Sequence, residues 1–438
     1  MITSQCQATK SASVEMLVGL LRQRKTRRFG CGMELPGGPL RYRSRLPPIP
    51  LSHEELHYLL FAGVGKTGPH LADMQYAARP GHEDGQGMAI MSFQGRTAPS
   101  ACAANATNLF ITNDDGVYFV SGVSDPDSGT SPELRTLQSE RLQIPREMPY
   151  MLSFNQWYAN RPGSLYVIPV TDVASVYLNL LLVLLSKEYG YFIVDSDNGH
   201  RSCGLDDFRK SHGGHLYDDL GKRRTMTLRE LDAAIADTAI QEQGVIAQNM
   251  FLMLQALGLG GGIQSVGSGR HLLGWEPQIF PGLGFQFSKS PIEGVRSNPV
   301  GVPNVWEGPC PPFVPTMEDA VRTLVASKFG TNGIYAEQGR PWSRSDTGQS
   351  IVPHDEQAIE ATIRFCEYVY QTYGRFPVHA DAFKTVVAFQ AHHIDLDFYD
   401  KFYPESSVPS THREHFGTWH DEHEWKCWSQ TNLEEGMR

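Results

Sequence analysis

The amino-acid sequence predicts an α+β protein with a mainly helical C-terminal extension. Three observations predict this class. Segments with helical spacing of apolar residues alternate with short segments of period two, a long apolar run covers Val245–Leu257, and proline becomes dense beyond residue 298. A chain of 438 residues is long enough for two or three domains of roughly 150 residues each.

The first half of the chain carries clear helix signals. Apolar residues at helical spacing predict a helix over residues 13–22. Ser52 and Glu55 form a capping box at the start of a second helix. Its expected buried stripe consists of Leu56, Leu59, Leu60 and Ala62.

Strands and further helices follow. Residues 109–112 and 117–120 alternate across the turn Asn113–Gly116, which is typical of two paired strands. Residues 165–170 and 191–194 are further strand candidates. Two helix signals come next: a capping box made by Thr227 and Glu230, and the apolar run Val245–Leu257, which Gly258 ends as a left-handed cap. The shorter apolar run Val173–Leu185 is expected to be a core helix, since it is too short to span a membrane.

A domain boundary is expected near residue 300. Residues 1–300 would form the main domain, and residues 301–438 would form a proline-rich connection and a helical extension. Helices are expected over Met317–Phe329 and Gln357–Tyr373. The aromatic tail residues Trp419, Trp425 and Trp428 are expected to bury against the main domain.

Composition excludes several classes of protein. The formal net charge of −10 argues against a general binder of nucleic acids or anionic membranes. Seven scattered cysteines, none in a C-x-x-C pair, favour reduced thiols, and the first twenty residues lack a signal-peptide pattern. We therefore expect a cytoplasmic protein with no nucleic-acid and no membrane partner.

Four stretches could bind a phosphorylated, flat ligand, and the last of them, residues 282–301, could supply a further cation, Lys289 or Arg296. Five cations lie within Arg22–Arg28, and guanidinium groups suit phosphate, although a solvated basic patch is the alternative. The loop GRTAPSACAANATN, with small residues ahead of a strand, would let backbone approach a ring, or it is an ordinary packed loop. Gln243-Gly244 is interpreted as the turn at the start of the apolar helix, where backbone N–H groups would point outward.

Taken in order, these segments resemble the nitroreductase family, and in particular the branch of dehydrogenases that make thiazole and oxazole peptides. The resemblance rests on Arg24-Lys25-Thr26-Arg27-Arg28-Phe29, on Pro99-Ser100-Ala101, and on Gly244 through Ala256-Leu257-Gly258-Leu259. It covers residues 12–300 approximately, with unmatched stretches at about 121–160 and 195–225. Cys102 replaces the glycine of the family's loop, and Lys25 stands where many members have a small hydroxyl residue.

The resemblance implies a nitroreductase-like fold, in which helices flank a central mixed or antiparallel sheet. It also implies a homodimer that binds FMN between its subunits and uses NAD(P)H and a small-molecule or peptide substrate. It implies that Arg24, Lys25, Arg27 and Arg296 hold the cofactor's phosphate, and that Ser100 and Asn105 bond the ring. Gln243 and Gly244 would be the catalytic positions, with the Gly244 N–H near the reactive edge of the flavin.

The C-terminal histidines leave three interpretations open. His392, His393 and Asp397 are weaker candidates for substrate contact, and a polar docking surface is the simplest reading. The density of imidazoles and carboxylates here could also bind zinc or iron, but no metal ligand is assigned, because no pair among these C-terminal histidines has the i, i+4 spacing of a helical zinc site. Two rival functions remain: a catalytically inactive ligand-binding or scaffold protein, and a metal-dependent hydrolase centred on these histidines.

Overall fold

The structure is a computed structural model that describes residues 11–71, 89–187, 189–206, 224–335, 341–344 and 351–421. Its helices are α1 (Ala12–Gln23), α2 (His53–Val64), α3 (Val173–Leu184), α4 (Leu228–Leu257), α5 (Gly269–Leu273), α6 (Met317–Phe329), α7 (Glu356–Tyr373), α8 (Leu396–Phe402), α9 (Ser410–Arg413) and α10 (His415–Trp419). Its strands are β1 (Glu34–Leu35), β2 (Tyr42–Arg43), β3 (Lys66–Pro69), β4 (Gln94–Arg96), β5 (Thr107–Asn113), β6 (Gly116–Gly122), β7 (Glu133–Gln138), β8 (Leu165–Asp172), β9 (Phe192–Val194), β10 (Thr225–Thr227), β11 (Gly260–Ser265), β12 (Gln286–Ser288), β13 (Asn298–Val302), β14 (Trp306–Glu307), β15 (Phe383–Lys384) and β16 (Val387–His392). The mixture confirms the α+β class.

A seven-stranded sheet organises the chain. Its order is β11-β16-β8-β5-β6-β7, with β15 also paired to β8, and every pairing in it is antiparallel. The predicted hairpin is β5–β6, where Phe110 is the partner of Phe119. Strand β16 comes from the last quarter of the chain yet lies between β11 and β8. The sheet therefore crosses the boundary expected at residue 300, and the part after it contributes strands as well as helices.

Side chains on the two faces of the sheet belong to two apolar clusters. On β5, Phe110 faces one cluster while Leu109 and Ile111 face the other, as the period of a strand requires. The first cluster holds α3, α7 and the beginning of α4, and the second holds α2 and the end of α4. The predicted stripe of α2 is buried at all four positions.

Helix α4 is one continuous helix of 30 residues. The Thr227–Glu230 capping box forms at its start, and Gly258 ends it in the left-handed conformation with φ 79°. The two helix signals predicted separately are thus the two ends of a single element. The expectation that a helix starts at Gln243-Gly244 was wrong, because both residues lie in the interior of α4.

Helix α3 is the core helix that the sequence predicted. Asn179, the one strongly polar residue in this apolar run, donates to the Ala89 carbonyl and accepts from the Lys328 Nζ at 2.8 Å. Among the described residues, no helix is both long and apolar enough to cross a bilayer.

Candidate functional site

A cavity of about 390 Å³ opens beside the N-terminal half of α4. Ala233 and Ala236 of α4 form part of its wall, and Phe383 of β15 forms another part. Its charged and titratable lining is mainly basic: Arg229, Arg270, Arg296, His379 and Lys384, together with Asp232 and Asp381.

Arg270 is held firmly in this wall. Its Nη1 lies 2.6 Å from Asp381 Oδ1, and its Nη2 donates to the Ser297 carbonyl at 2.7 Å. The guanidinium also stacks at 5.1 Å from the ring centroid of Trp275. Asp381 receives a second guanidinium, because Arg375 Nη2 lies 3.0 Å from the same Oδ1. The carboxylate is therefore shared between two cations, which leaves a local excess of positive charge.

The other carboxyl in the wall, Asp232, is buried and hydrogen-bonded at both of its oxygens. Burial raises the pKa of Asp232 above its ordinary value. The Tyr177 hydroxyl donates to its Oδ1 at 2.5 Å, and the His379 backbone N–H donates to its Oδ2 at 2.6 Å. These partners fix Asp232 inside the wall.

Arg296 and Lys384 complete the basic lining. Within the described parts of the chain, neither side chain has a carboxylate at ion-pair distance. Fixed and available cations around one concavity are suited to binding a phosphate or another multivalent anion. Of the residues predicted to bind phosphate, Arg296 is the one that lies in this cavity.

A buried polar network links this cavity to the loop predicted to contact a ring. Thr107 of β5 donates to Glu242 Oε2 at 2.6 Å and lies 2.7 Å from the Thr171 hydroxyl of β8. Gln243 Nε2 donates to Thr171 Oγ1 and to the Lys384 carbonyl, each at 2.8 Å. Gln243 is fully buried, so its amide locks β15 against α4. It does not reach the cavity itself.

Ser100 and Asn105 lie at the other end of this network. The Ser100 hydroxyl donates to Glu242 Oε1 and accepts from the Asn105 backbone N–H at 3.0 Å. Both residues line a second cavity of about 430 Å³. A chain of hydrogen bonds through Glu242, Thr107 and Thr171 thus connects Ser100 and Asn105 with Gln243.

Gly244 cannot play the predicted part. Inside α4 its N–H is directed along the helix toward the preceding turn, so it is not one of the free donors of a helix start. The prediction that Gly244 donates to a ligand is corrected on this ground.

The basic N-terminal segment lies at the opposite end of α4. Arg24 stacks over the Phe251 ring at 5.3 Å from its centroid, and the Lys25 backbone N–H lies 3.5 Å from Gln255 Oε1. Ala236 and Gln255 are 19 positions apart on α4, which is about 28 Å at the helical rise. In one chain, Arg24, Lys25 and Arg27 therefore cannot bind the same phosphate as Arg296.

Arg27 is an internal residue, with 3% of its surface exposed. Its Nε and Nη2 donate to the Ser407 carbonyl at 2.9 and 2.7 Å, and its Nη1 donates to Gln255 Oε1 at 2.9 Å. The guanidinium ties the N-terminal segment to α4 and to the segment before α9. Its donors are thus directed at protein carbonyls, contrary to the predicted role at a phosphate.

The C-terminal candidates fall into two groups. His392 is fully enclosed, and burial, followed by the neighbouring His393, lowers its pKa to about 3, so it is a neutral core histidine. His393 contacts Glu55 at 3.1 Å. Asp397 lines a third cavity of about 560 Å³ beside that pair. Trp419 packs edge-on against Tyr58, whereas Trp425 and Trp428 lie outside the described residues.

The sequence analysis missed most of the basic cavity. Arg229, Arg270, His379 and Lys384 come from four separate segments, and none of them belongs to a recognisable motif. Only the pairing of β15 with β8 and the packing of α4 bring them together.

Comparison with known proteins adds little. No protein-family model matches the chain, and no curated protein matches it. The chain is similar to a crystal structure of a protein from Ralstonia eutropha JMP134 that is provisionally described as a nitroreductase, at 15% identity and a TM-score of 0.28, over 59% of this chain and 73% of the other. So low a TM-score does not establish a common fold. Fold and site define this chain as an α+β protein with a basic cavity.

Proposed function

We propose that the chain is an FMN-dependent oxidoreductase that transfers hydride or electrons between its flavin and an organic substrate. The observation that carries the proposal is the basic cavity at Arg270, Arg296 and Lys384, which the Gln243–Glu242 network joins to the Ser100 loop. The resemblance of the ordered motifs to the nitroreductases supports it.

In this proposal two groups of donors would hold the two ends of a flavin mononucleotide. Arg296 and Lys384 would bind the phosphate, while Arg270, fixed by Asp381, would supply positive potential. The small-residue loop at Ser100 and Asn105 would border the ring. When bound, FMN supplies the redox chemistry, and the protein contributes orientation and electrostatics.

The remaining roles follow from where the side chains lie. Gln243 is a positioning residue, since it fixes the backbone of Lys384 and Val386 through hydrogen bonds of 2.8 and 2.9 Å. Arg24 and Lys25 could meet a flavin only if it were bound by a second copy of the chain. A homodimer with the flavin between subunits, reduced by NAD(P)H and acting on a small molecule or peptide, is the assembly that the resemblance implies.

The test begins with the absorption spectrum of the full-length protein, before and after reconstitution with FMN. We expect flavin bands that survive desalting, and FMN in the supernatant after heat denaturation. The variant Arg296→Ala/Lys384→Ala should bind FMN about tenfold to a hundredfold more weakly per lost contact, because hydrogen bonds to charged groups contribute roughly 1.5–3 kcal/mol. Arg364→Ala is the matched control, since Arg364 is an exposed cation paired with Glu360 on α7.

Two results would overturn the proposal. A colourless protein that takes up no added FMN would favour the alternative of a non-redox ligand-binding or scaffold protein. Equal FMN affinity in the double variant and the Arg364→Ala control would show that the basic cavity does not bind the phosphate of FMN.

A further inference from the structure

Four side chains from distant parts of the sequence converge behind the third cavity. They are Glu55 on α2, His393 just after β16, His415 at the start of α10 and His420 just after its end. One ligand atom from each lies within 4.8 Å of all the others. We call this group the Glu55–histidine cluster.

The contacts in the cluster are directed at one oxygen. Glu55 Oε1 lies 3.1 Å from His393 Nε2, 3.0 Å from His415 Nε2 and 3.3 Å from His420 Nε2. The Nε2 atoms of His393 and His420 are themselves 3.2 Å apart. Glu55, His393 and His415 are buried, and His420 is half-buried.

Hydrogen bonds on the far side of two rings fix the form of the histidines. His393 Nδ1 lies 3.0 Å from the Ile49 carbonyl, and His415 Nδ1 lies 2.6 Å from the Leu257 carbonyl. A carbonyl only accepts, so each Nδ1 carries a hydrogen, and each ring directs its Nε2 at the cluster. This pattern, in which a backbone carbonyl holds Nδ1–H while Nε2 points inward, is that of histidines that ligate metals.

Without a cation the arrangement is unfavourable. Three Nε2 atoms converge on one carboxylate oxygen, and His415 Nε2, although buried and 3.0 Å from that oxygen, makes no hydrogen bond of good geometry. One protonated ring could pair with Glu55, but protonating the other two as well would enclose three positive charges beside one negative charge, which is costly away from water. A divalent ion resolves both difficulties, because it accepts the three lone pairs and neutralises the carboxylate.

Glu55 is also pre-oriented for this role. Its Oε2 accepts from the Ser52 backbone N–H at 2.6 Å, as the second half of the capping box of α2. One carboxylate oxygen is thus used by the helix start, and the other faces the three imidazoles. The capping box fixes the ligand in the manner of an outer-shell hydrogen bond.

We propose that the Glu55–histidine cluster is a binding site for a divalent transition-metal ion. Three imidazole nitrogens and one carboxylate oxygen, without sulfur, suit borderline ions such as Zn²⁺, Fe²⁺, Co²⁺ or Mn²⁺. His420 lines the 560 Å³ cavity together with Asp395, Asp397 and Arg413, so an ion held here would be open to ligands from that side. The site is independent of the proposed flavin site, from which it is separated by the length of α4.

The experiment uses the full-length chain without a histidine tag. Metal content is measured on the purified protein, and the chelator-treated protein is then titrated with Co²⁺ while its visible absorption and melting temperature are recorded. We expect one equivalent bound per chain, ligand-field bands in the visible range, and a higher melting temperature with the ion.

Paired variants on α2 distinguish a built site from surface binding. Glu55→Gln removes the anionic ligand while glutamine can still complete the capping box, and Glu54→Gln changes the exposed neighbour. His420→Ala opens the site at its half-buried edge, and His53→Ala removes an exposed histidine on the same helix. We expect Glu55→Gln and His420→Ala to weaken Co²⁺ binding at least about a hundredfold and the two controls to leave it unchanged.

Failure of wild-type protein to bind one equivalent of Co²⁺ or Zn²⁺ overturns the proposal. Binding that persists equally in Glu55→Gln and His420→Ala does so as well. The readouts do not involve flavin, so a colourless protein that binds the ion would refute the proposed function and leave the metal site standing.

Discussion

Replacing Gly244 by alanine tests whether this residue lies in the interior of α4 or at a helix start. The two interpretations predict opposite effects of the added methyl group. Gly244 is exposed in the interior of α4, and a Cβ added there would have no heavy atom of the described residues outside the helix within 4 Å. Replacing an interior helical glycine by alanine stabilises by roughly 0.5–1 kcal/mol, since alanine loses less backbone entropy on folding. Gly244→Ala should therefore increase the free energy of unfolding by about that amount.

Gly258 provides the matched control at the end of the same helix. Its φ is 79°, and a Cβ there would lie 2.1 Å from the Thr411 carbonyl oxygen. The left-handed conformation alone costs a residue with a side chain roughly 1–2 kcal/mol, and the overlap with backbone adds to that cost. Gly258→Ala should destabilise by several kcal/mol.

Both variants are compared with wild type by urea unfolding, followed by the far-ultraviolet circular dichroism of the helices, and by FMN titration. The reasoning predicts a higher midpoint for Gly244→Ala, a lower one for Gly258→Ala, and unchanged FMN affinity for Gly244→Ala. A destabilised Gly244→Ala protein, or one that loses FMN, would show that this position needs glycine and would restore the helix start at Gln243-Gly244.

Two further predictions concern buried cations. Burial lowers the pKa of Lys328, which lies next to His354 and near Cys102, to about 7. Between that pH and 10.5 the unfolded chain binds more protons than the folded chain, so the free energy of unfolding should rise with pH. In denaturant titrations, the free energy of unfolding of Lys328→Met relative to wild type should therefore be roughly 2–3 kcal/mol higher at about pH 6 than at about pH 9. An equal difference from wild type at the two pH values would refute the lowered pKa. Arg27→Ala should cost roughly 1–3 kcal/mol for each buried acceptor that it leaves without a donor, the Ser407 carbonyl first, while Arg24→Ala costs under about 1 kcal/mol. Similar losses in the two variants would contradict the internal role of Arg27.

Helix ends were well predicted from short sequence patterns, because the hydrogen bonds and backbone conformations that fix them involve residues close together in the sequence. Ser52 with Glu55, and Thr227 with Glu230, mark helix starts that the structure has, and Gly258 marks a helix end. Gln243-Gly244 was misread as a helix start because glycine has low helix propensity. Packing of the residues before and after it in two apolar clusters carries the helix through this position.

The site was harder to predict because it depends on contacts between distant residues. Arg27 has the sequence context of a phosphate-binding residue, yet its partner carbonyl belongs to Ser407, 380 positions away. Glu55 was identified as a capping residue, and nothing near it in the sequence indicates the three histidines that contact it. Spacing rules recognise ligands that share a helix, whereas these ligands come from α2, from the end of β16 and from either end of α10.

The central position of β16 in the sheet has a consequence for folding during translation. Strand β8 ends at Asp172, but the neighbour that covers one of its edges is not complete until His392 has been synthesised. At roughly 5–20 residues per second, about 10–40 s separate the two events. During that time β8 and β11 expose unpaired backbone edges of the kind that attract other strands. The nascent chain should therefore need chaperones to shield these edges until its last quarter emerges. The two halves of the sheet should pair only after synthesis is nearly finished.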